Sequence, residues 1–189
     1  MRSTPCNQRR TLLPVLLLAL TGLAGAAPAL AALQPMPGLV MHSDSPSRHR
    51  IELVVYTDIG EPAFLAALRQ SVETHWNQAP AMLAAGLRIE LSITYVPADP
   101  QSTPQDRLAQ FPEDALVLTT GLRSMPSRRV RSVPPVEPLP SGEMLALEIG
   151  HLLGFNESTE SGEVSEEMVR DLFNAYGSEP YVCPCDAPE

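Results

Sequence analysis

The chain has 189 residues, 44% of them hydrophobic, with 22 acidic residues against 13 basic ones and a formal net charge of −9. That length allows one ordinary domain with enough chain to bury a core. The acidic balance argues against nucleic acid or an anionic membrane surface as the main partner. All the basic residues are arginine and lysine is absent, which reads as codon bias ahead of function.

The first 31 residues read as a secretory signal peptide. Arg2, Arg9 and Arg10 precede a run of Leu, Ala, Val, Gly and Thr, and Ala29-Leu30-Ala31 offers a small-residue cleavage site, with Ala24-Gly25-Ala26 as a competing one. Pro14, Gly22, Gly25 and Pro28 interrupt the apolar run, which favours a cleaved signal over a retained anchor. The pair Arg9-Arg10 leaves the export route, general or twin-arginine, open. Removing this segment takes away three arginines and no acid, so the charge moves from −9 to −12 over the remaining 158 residues. The expected protein is exported, periplasmic or secreted, with no membrane segment in its mature form.

Residues 32–48, rich in Pro, Ser and small residues, predict a flexible lead-in. The β-branched run Ile51–Thr57 predicts a buried strand, closed by Asp58-Ile59-Gly60-Glu61-Pro62. Pro62 suits the first turn of a helix over 63–78, where Phe64, Leu65, Leu68, Val72 and Trp76 recur at helical spacing. Over 87–96, Leu87, Ile89, Leu91, Ile93 and Tyr95 alternate with polar residues, the signature of a strand with one wet face. Residues 97–112 predict a loop around a short helix at 105–110, and 115–120 a third strand. The segment 123–133 carries Arg123, Arg128, Arg129 and Arg131 and reads as a solvated basic piece. Pro-Pro-Val-Glu-Pro-Leu-Pro at 134–140 is an extended connector, after which Ser141 is placed to cap a helix. The order of elements predicts an α+β fold, with an α/β-type mixed sheet and helices in a single domain. In the tail 178–189, Cys183 and Cys185 are separated only by Pro184, too close for an unstrained bridge to each other. An oxidised or intermolecularly paired tail is favoured there over a soft-metal site.

The helix after Ser141 carries Leu145-Ala-Leu-Glu-Ile-Gly-His-Leu-Leu-Gly-Phe-Asn-Glu157. In a peptidase helix of the pattern H-E-x-x-H, residues four apart share a face, so two imidazoles reach one zinc ion. The glutamate between them takes a proton from the metal-bound water. The longer pattern H-E-x-x-H-x-x-G-x-x-H adds a glycine that turns the chain out of the helix and a third ligand beyond it. Glu148, His151 and Gly154 fall on that spacing, Leu147 stands where the first ligand belongs, and Glu157 stands at the third.

This stretch, its continuation through Asn156-Glu-Ser-Thr-Glu-Ser-Gly162 and the closing Glu166-Glu-Met-Val-Arg-Asp-Leu-Phe-Asn-Ala-Tyr-Gly177 resemble the end of a metzincin zinc peptidase, and among those a matrixin. The resemblance spans roughly residues 49–177 as one domain with a first helix and an active-site helix. It implies Glu148 as general base and His151 and Glu157 as zinc ligands. It also puts Gly154 at the turn, Ser158 to Gly162 on the loop beyond, Ser165 on or near the turn methionine beneath the metal, and Tyr176-Gly177 at the final helix end. Ser71-Val-Glu-Thr-His-Trp-Asn77 resembles the close of the family's first helix. Departures weigh against activity. Leucine has no lone pair for a metal, the family's Gly-, Asp- and His-rich metal-binding segments have no counterpart between Pro97 and Pro140, and Met168 sits within a helical pattern.

Three readings follow. The first is an exported metallopeptidase-like protein with zinc-dependent peptide hydrolysis impaired or absent and a cleft for a peptide or protein partner. The second is an active zinc metalloendopeptidase that recruits a non-standard ligand such as His75, the tail cysteines or a partner. The third is an unrelated α+β binding domain, in which Glu148 and His151 are an ordinary i,i+3 pair. No glycine-rich phosphate loop follows a strand, so zinc is the only cofactor the sequence suggests.

Overall fold

A computed structural model describes residues 33–99, 101–120, 129–134, 138–155 and 163–178. The signal segment, Glu157, Ser158 to Gly162 and the tail cysteines lie outside these residues. Five strands form one mixed sheet: β1 (Val40–Ser45), β2 (Arg48–Thr57), β3 (Leu87–Tyr95), β4 (Leu116–Thr120) and β5 (Val130–Val133). β1 runs antiparallel to β2, whereas β3 and β4 pair with β2 in parallel and β5 pairs in parallel with β4. β3 takes one edge of β2 along its length. The other edge is shared, β1 pairing with 48–52 and β4 with 55–57.

The helices are α1 (Pro62–Ser71), α2 (Pro80–Ala84), α3 (Pro104–Leu108), α4 (Gly142–Leu152) and α5 (Glu166–Tyr176). The architecture is therefore α+β with a mixed sheet, as the element order predicts. The alternation of β2 puts Ile51, Leu53 and Val55 on one face with no exposed surface. They join Phe64 and Leu68 of α1, Leu145 and Ile149 of α4 and Leu172 of α5 in the main core. Full burial of each such side chain contributes roughly 2 kcal/mol before chain entropy is charged against it. β4 is buried on both faces. Its Leu116 and Leu118 join the main core, while Val117 packs with Phe111 and Ala115 in a smaller cluster on the opposite face. α3 is fastened to that side by Asp58, whose Oδ2 accepts from Arg107 Nη1 (3.1 Å) and Thr119 Oγ1 (2.9 Å).

Four sequence expectations need adjustment. Part of the lead-in is structured: Val40–Ser45 is a strand, and Leu33, Met36, Leu39 and Met41 are buried against the core. Short apolar residues scattered among Pro and Ser carry no period, so only tertiary contact reveals them. The first helix is α-helical only to Ser71, and Val72–Asn77 then widens to π-helix, where Gln78 N–H donates to the Glu73 carbonyl five residues back (3.1 Å). Periodicity marks no element between Gln78 and Leu87, yet α2 fills that space, with Pro80 in its first turn and Gly86 (φ +61°) beyond its end. In the basic piece, Val130–Val133 joins the sheet as β5. The connector's residues 135–137 lie outside the described residues.

Candidate functional site

α4 starts where the sequence places it. Ser141 is extended, and its Oγ accepts from the Met144 N–H (3.2 Å), satisfying one of the free donors of the first turn. The helix is buried along most of its circumference, with Leu145, Ile149 and Leu152 directed into the core. Its seat is fixed by Trp76 in the π-helical turn. The indole Nε1 donates to the Ala146 carbonyl (3.1 Å), and the ring stacks on Phe155 at 6.1 Å between centroids. Gly150 admits this contact, since a Cβ there would lie 3.2 Å from the indole. The neighbouring Asn77 exchanges two hydrogen bonds with the Ile89 backbone (2.8 and 3.1 Å), tying the same turn to β3.

The end of α4 is a Schellman turn. Gly154 adopts φ +99°, its N–H donates to the His151 carbonyl (2.9 Å), and Phe155 N–H donates to Gly150 (3.0 Å). A side chain at Gly154 is doubly disfavoured, because a Cβ would come within 2.2 Å of the Gln34 carbonyl oxygen. The reversal returns the Phe155 carbonyl to the helix, where it lies 3.0 Å from His151 Nδ1. A carbonyl only accepts, so Nδ1 donates this bond and Nε2 takes no part in it. Metal-bound histidines are commonly oriented by such a bond. His151 is thus held like a ligand, buried with 6% exposure.

Glu148 has a different partner. Its Oε2 accepts from Arg131 Nε at 2.7 Å, an ion pair with side-chain exposures of 12% and 27% for Glu and Arg. Arg131 is reached from the sheet: it pairs in register with Leu118, whose side chain is in the main core, so β5 presents the guanidinium to the helix-bearing face. Sequence reading missed this residue. The stretch Val130-Arg-Ser-Val133 does not alternate apolar with polar residues, so the sequence carried no signal for it. Leu147, half-buried, faces a notch shared with Trp76, Gly150 and Met168.

The remaining histidines stand elsewhere. His42 lies 3.8 Å from Glu52 on the sheet, and His49 bonds Ser43 Oγ and meets Phe173 edge-on. His75 Nε2 would be 3.0 Å from a Cβ at Gly142. Gly142 begins the helix nine residues before His151, a rise of about 13 Å, so His75 flanks the opposite end of α4. Ser165, expected near a turn beneath the metal, is the N-cap of α5, with its Oγ accepting from Met168 N–H (3.2 Å).

Among the described residues the donors do not make up a catalytic zinc set. Such a site needs three protein ligands around one ion. Among the described residues no three of His, Cys, Asp and Glu converge; Leu147 offers no donor, and the Glu148 carboxylate is engaged by a cation. Among the described residues no helix is long and apolar enough to cross a membrane. Comparison of the chain with protein-family models, curated proteins and solved structures gave no match.

Proposed function

We propose that the chain is an exported, metzincin-type metallopeptidase-like protein in which zinc-dependent peptide hydrolysis is impaired or absent, and which acts by binding a peptide or protein partner. The observation that carries this reading is the Arg131–Glu148 ion pair. A general base has to be free to approach the water it activates, and here the carboxylate at the base position is held at 2.7 Å by a guanidinium on the adjacent strand. Leu147 removes the first ligand in the same turn. The Schellman end at Gly154 and the oriented His151 support the family likeness, since both serve the motif's geometry.

The test combines metal content with peptide hydrolysis. Purified mature protein should contain far less than one zinc per chain and leave peptides uncut. Leu147→His should raise zinc affinity, and more so combined with Arg131→Ala, which frees Glu148. One bound zinc and Glu148-dependent cleavage in the wild type would refute the inactive reading. No gain in zinc affinity in either variant would refute the family likeness.

A further inference from the structure

An open groove runs beside α4, walled by the π-helical turn, α2 and the start of α5. Its wider part has a volume of about 410 Å³ and is lined by Thr74, His75, Gln78, Pro80, Glu163 and Glu166, among others. That size lies within the ordinary range of ligand sites, roughly 300–1,000 Å³. Glu163 and Val164 continue into the notch with Trp76, Leu147 and Met168, whose free volume of about 10 Å³ has room for a single water. The occupant therefore fills the wide part and only touches the notch.

Charge selects the occupant. Glu163 and Glu166 are exposed, and no Lys or Arg lines the groove. Among the described residues neither carboxylate forms an ion pair. Ala79, Pro80, Ala81 and Val164 supply the apolar part of the lining. A lining that combines apolar residues with two exposed carboxylates suits a long side chain with a methylene stem and a cationic head. The chain's own tail has the wrong sign, since residues 179–189 carry Glu179, Asp186 and Glu189 and no basic residue.

We infer that this groove binds an arginine- or lysine-bearing segment of a partner protein, its cationic head between Glu163 and Glu166. This rests on the peptide-binding part of the function proposed above and specifies the partner's chemistry. Association should weaken with salt, because the two carboxylates face solvent.

Trp76 is the only tryptophan and is buried next to the groove, so its emission reports occupancy. The mature protein is titrated with a blocked nonapeptide centred on arginine and with its citrulline counterpart, which keeps the shape and loses the charge. Calorimetry provides a second readout. The arginine peptide should bind saturably and about tenfold more tightly than the citrulline one. The double variant Glu163→Gln/Glu166→Gln should erase that preference, and Glu143→Gln, on the exposed side of α4 outside the groove, should leave it intact. Equal binding of the two peptides, or a preference that survives the double variant, overturns the cationic assignment while leaving peptide binding in place. Absence of both heat and fluorescence change with either peptide overturns the groove itself. The zinc and hydrolysis measurements decide separately whether the chain is an inactive peptidase.

Discussion

Glu148 illustrates how one residue's role depends on a neighbour distant in sequence. On α4 alone it occupies the position of a base, but Arg131, seventeen residues earlier, makes it one half of an ion pair. Because Glu148 is more enclosed than its partner, truncating either member should cost unequal amounts. Arg131→Ala leaves a largely buried carboxylate without its cation and should destabilise the fold by about 2–3 kcal/mol, below the full value for deeply buried pairs because the guanidinium is partly solvated. Glu148→Ala strands a cation with better access to water and should cost less. Urea denaturation of both variants and of the double variant gives the coupling, expected at about 1–2 kcal/mol. Additive single-variant costs would show that the pair contributes little. The sequence shows Glu148 and His151 at motif spacing. It does not show Arg131, because a basic cluster followed by a proline-rich connector looks solvated until strand register puts alternate residues on the helix-bearing face.

At the scale of elements, the segments with an intrinsic period were legible. β2, β3, β4, α4 and α5 fall within a few residues of where the sequence places them, since each carries its own apolar run, alternation or cap. β1, α2 and β5 were not, for they are short and their burial comes from contact with other elements. The π-helical widening at Val72–Asn77 is a similar case: the helical pattern continues through it, and the widening places the Trp76 indole against the α4 backbone at Ala146. Trp76→Phe therefore tests the element junction. It removes the donor to the Ala146 carbonyl and part of the stacked surface on Phe155, and should cost about 2–3 kcal/mol in denaturant unfolding. A loss under about 0.5 kcal/mol would mean that core burial alone seats α4. Gly154→Ala tests the other end of the helix. A methyl group would clash with the Gln34 carbonyl in a backbone conformation that L residues avoid, so a loss of at least about 2 kcal/mol is expected, together with faster hydrogen exchange at Gln34.

At the scale of the molecule, three parts far apart in sequence close onto one another through Tyr176. Its hydroxyl donates to the Leu153 carbonyl (2.8 Å) and accepts from the Met36 N–H (2.9 Å), joining α5, the end of α4 and the segment before β1. Residues that sequence composition assigns to a flexible lead-in thus become a strap against the end of α4, held by burial of Leu33, Met36 and Leu39 and by this one phenol. Desolvation raises the Tyr176 pKa above its ordinary value, with the bond from Met36 acting in the opposite direction. The folded protein therefore prefers the neutral phenol more strongly than the unfolded chain does. The stabilisation is complete below the unfolded-state pKa of about 10 and is lost as pH rises through the higher folded value. With no lysine in the chain, the other groups that titrate in the alkaline range are the remaining tyrosines and the thiols, and comparison with a Tyr176 variant isolates the effect. Stability measured by urea unfolding should begin to fall as pH rises past the unfolded-state value of about 10 and keep falling until the folded phenol ionises. Tyr176→Phe should lose about 1–2 kcal/mol at neutral pH, because it leaves the Leu153 carbonyl and the Met36 N–H without this partner, and should show a flatter alkaline limb. If the variant keeps the wild-type alkaline slope, another tyrosine or a thiol carries it and the strap is not fastened by Tyr176.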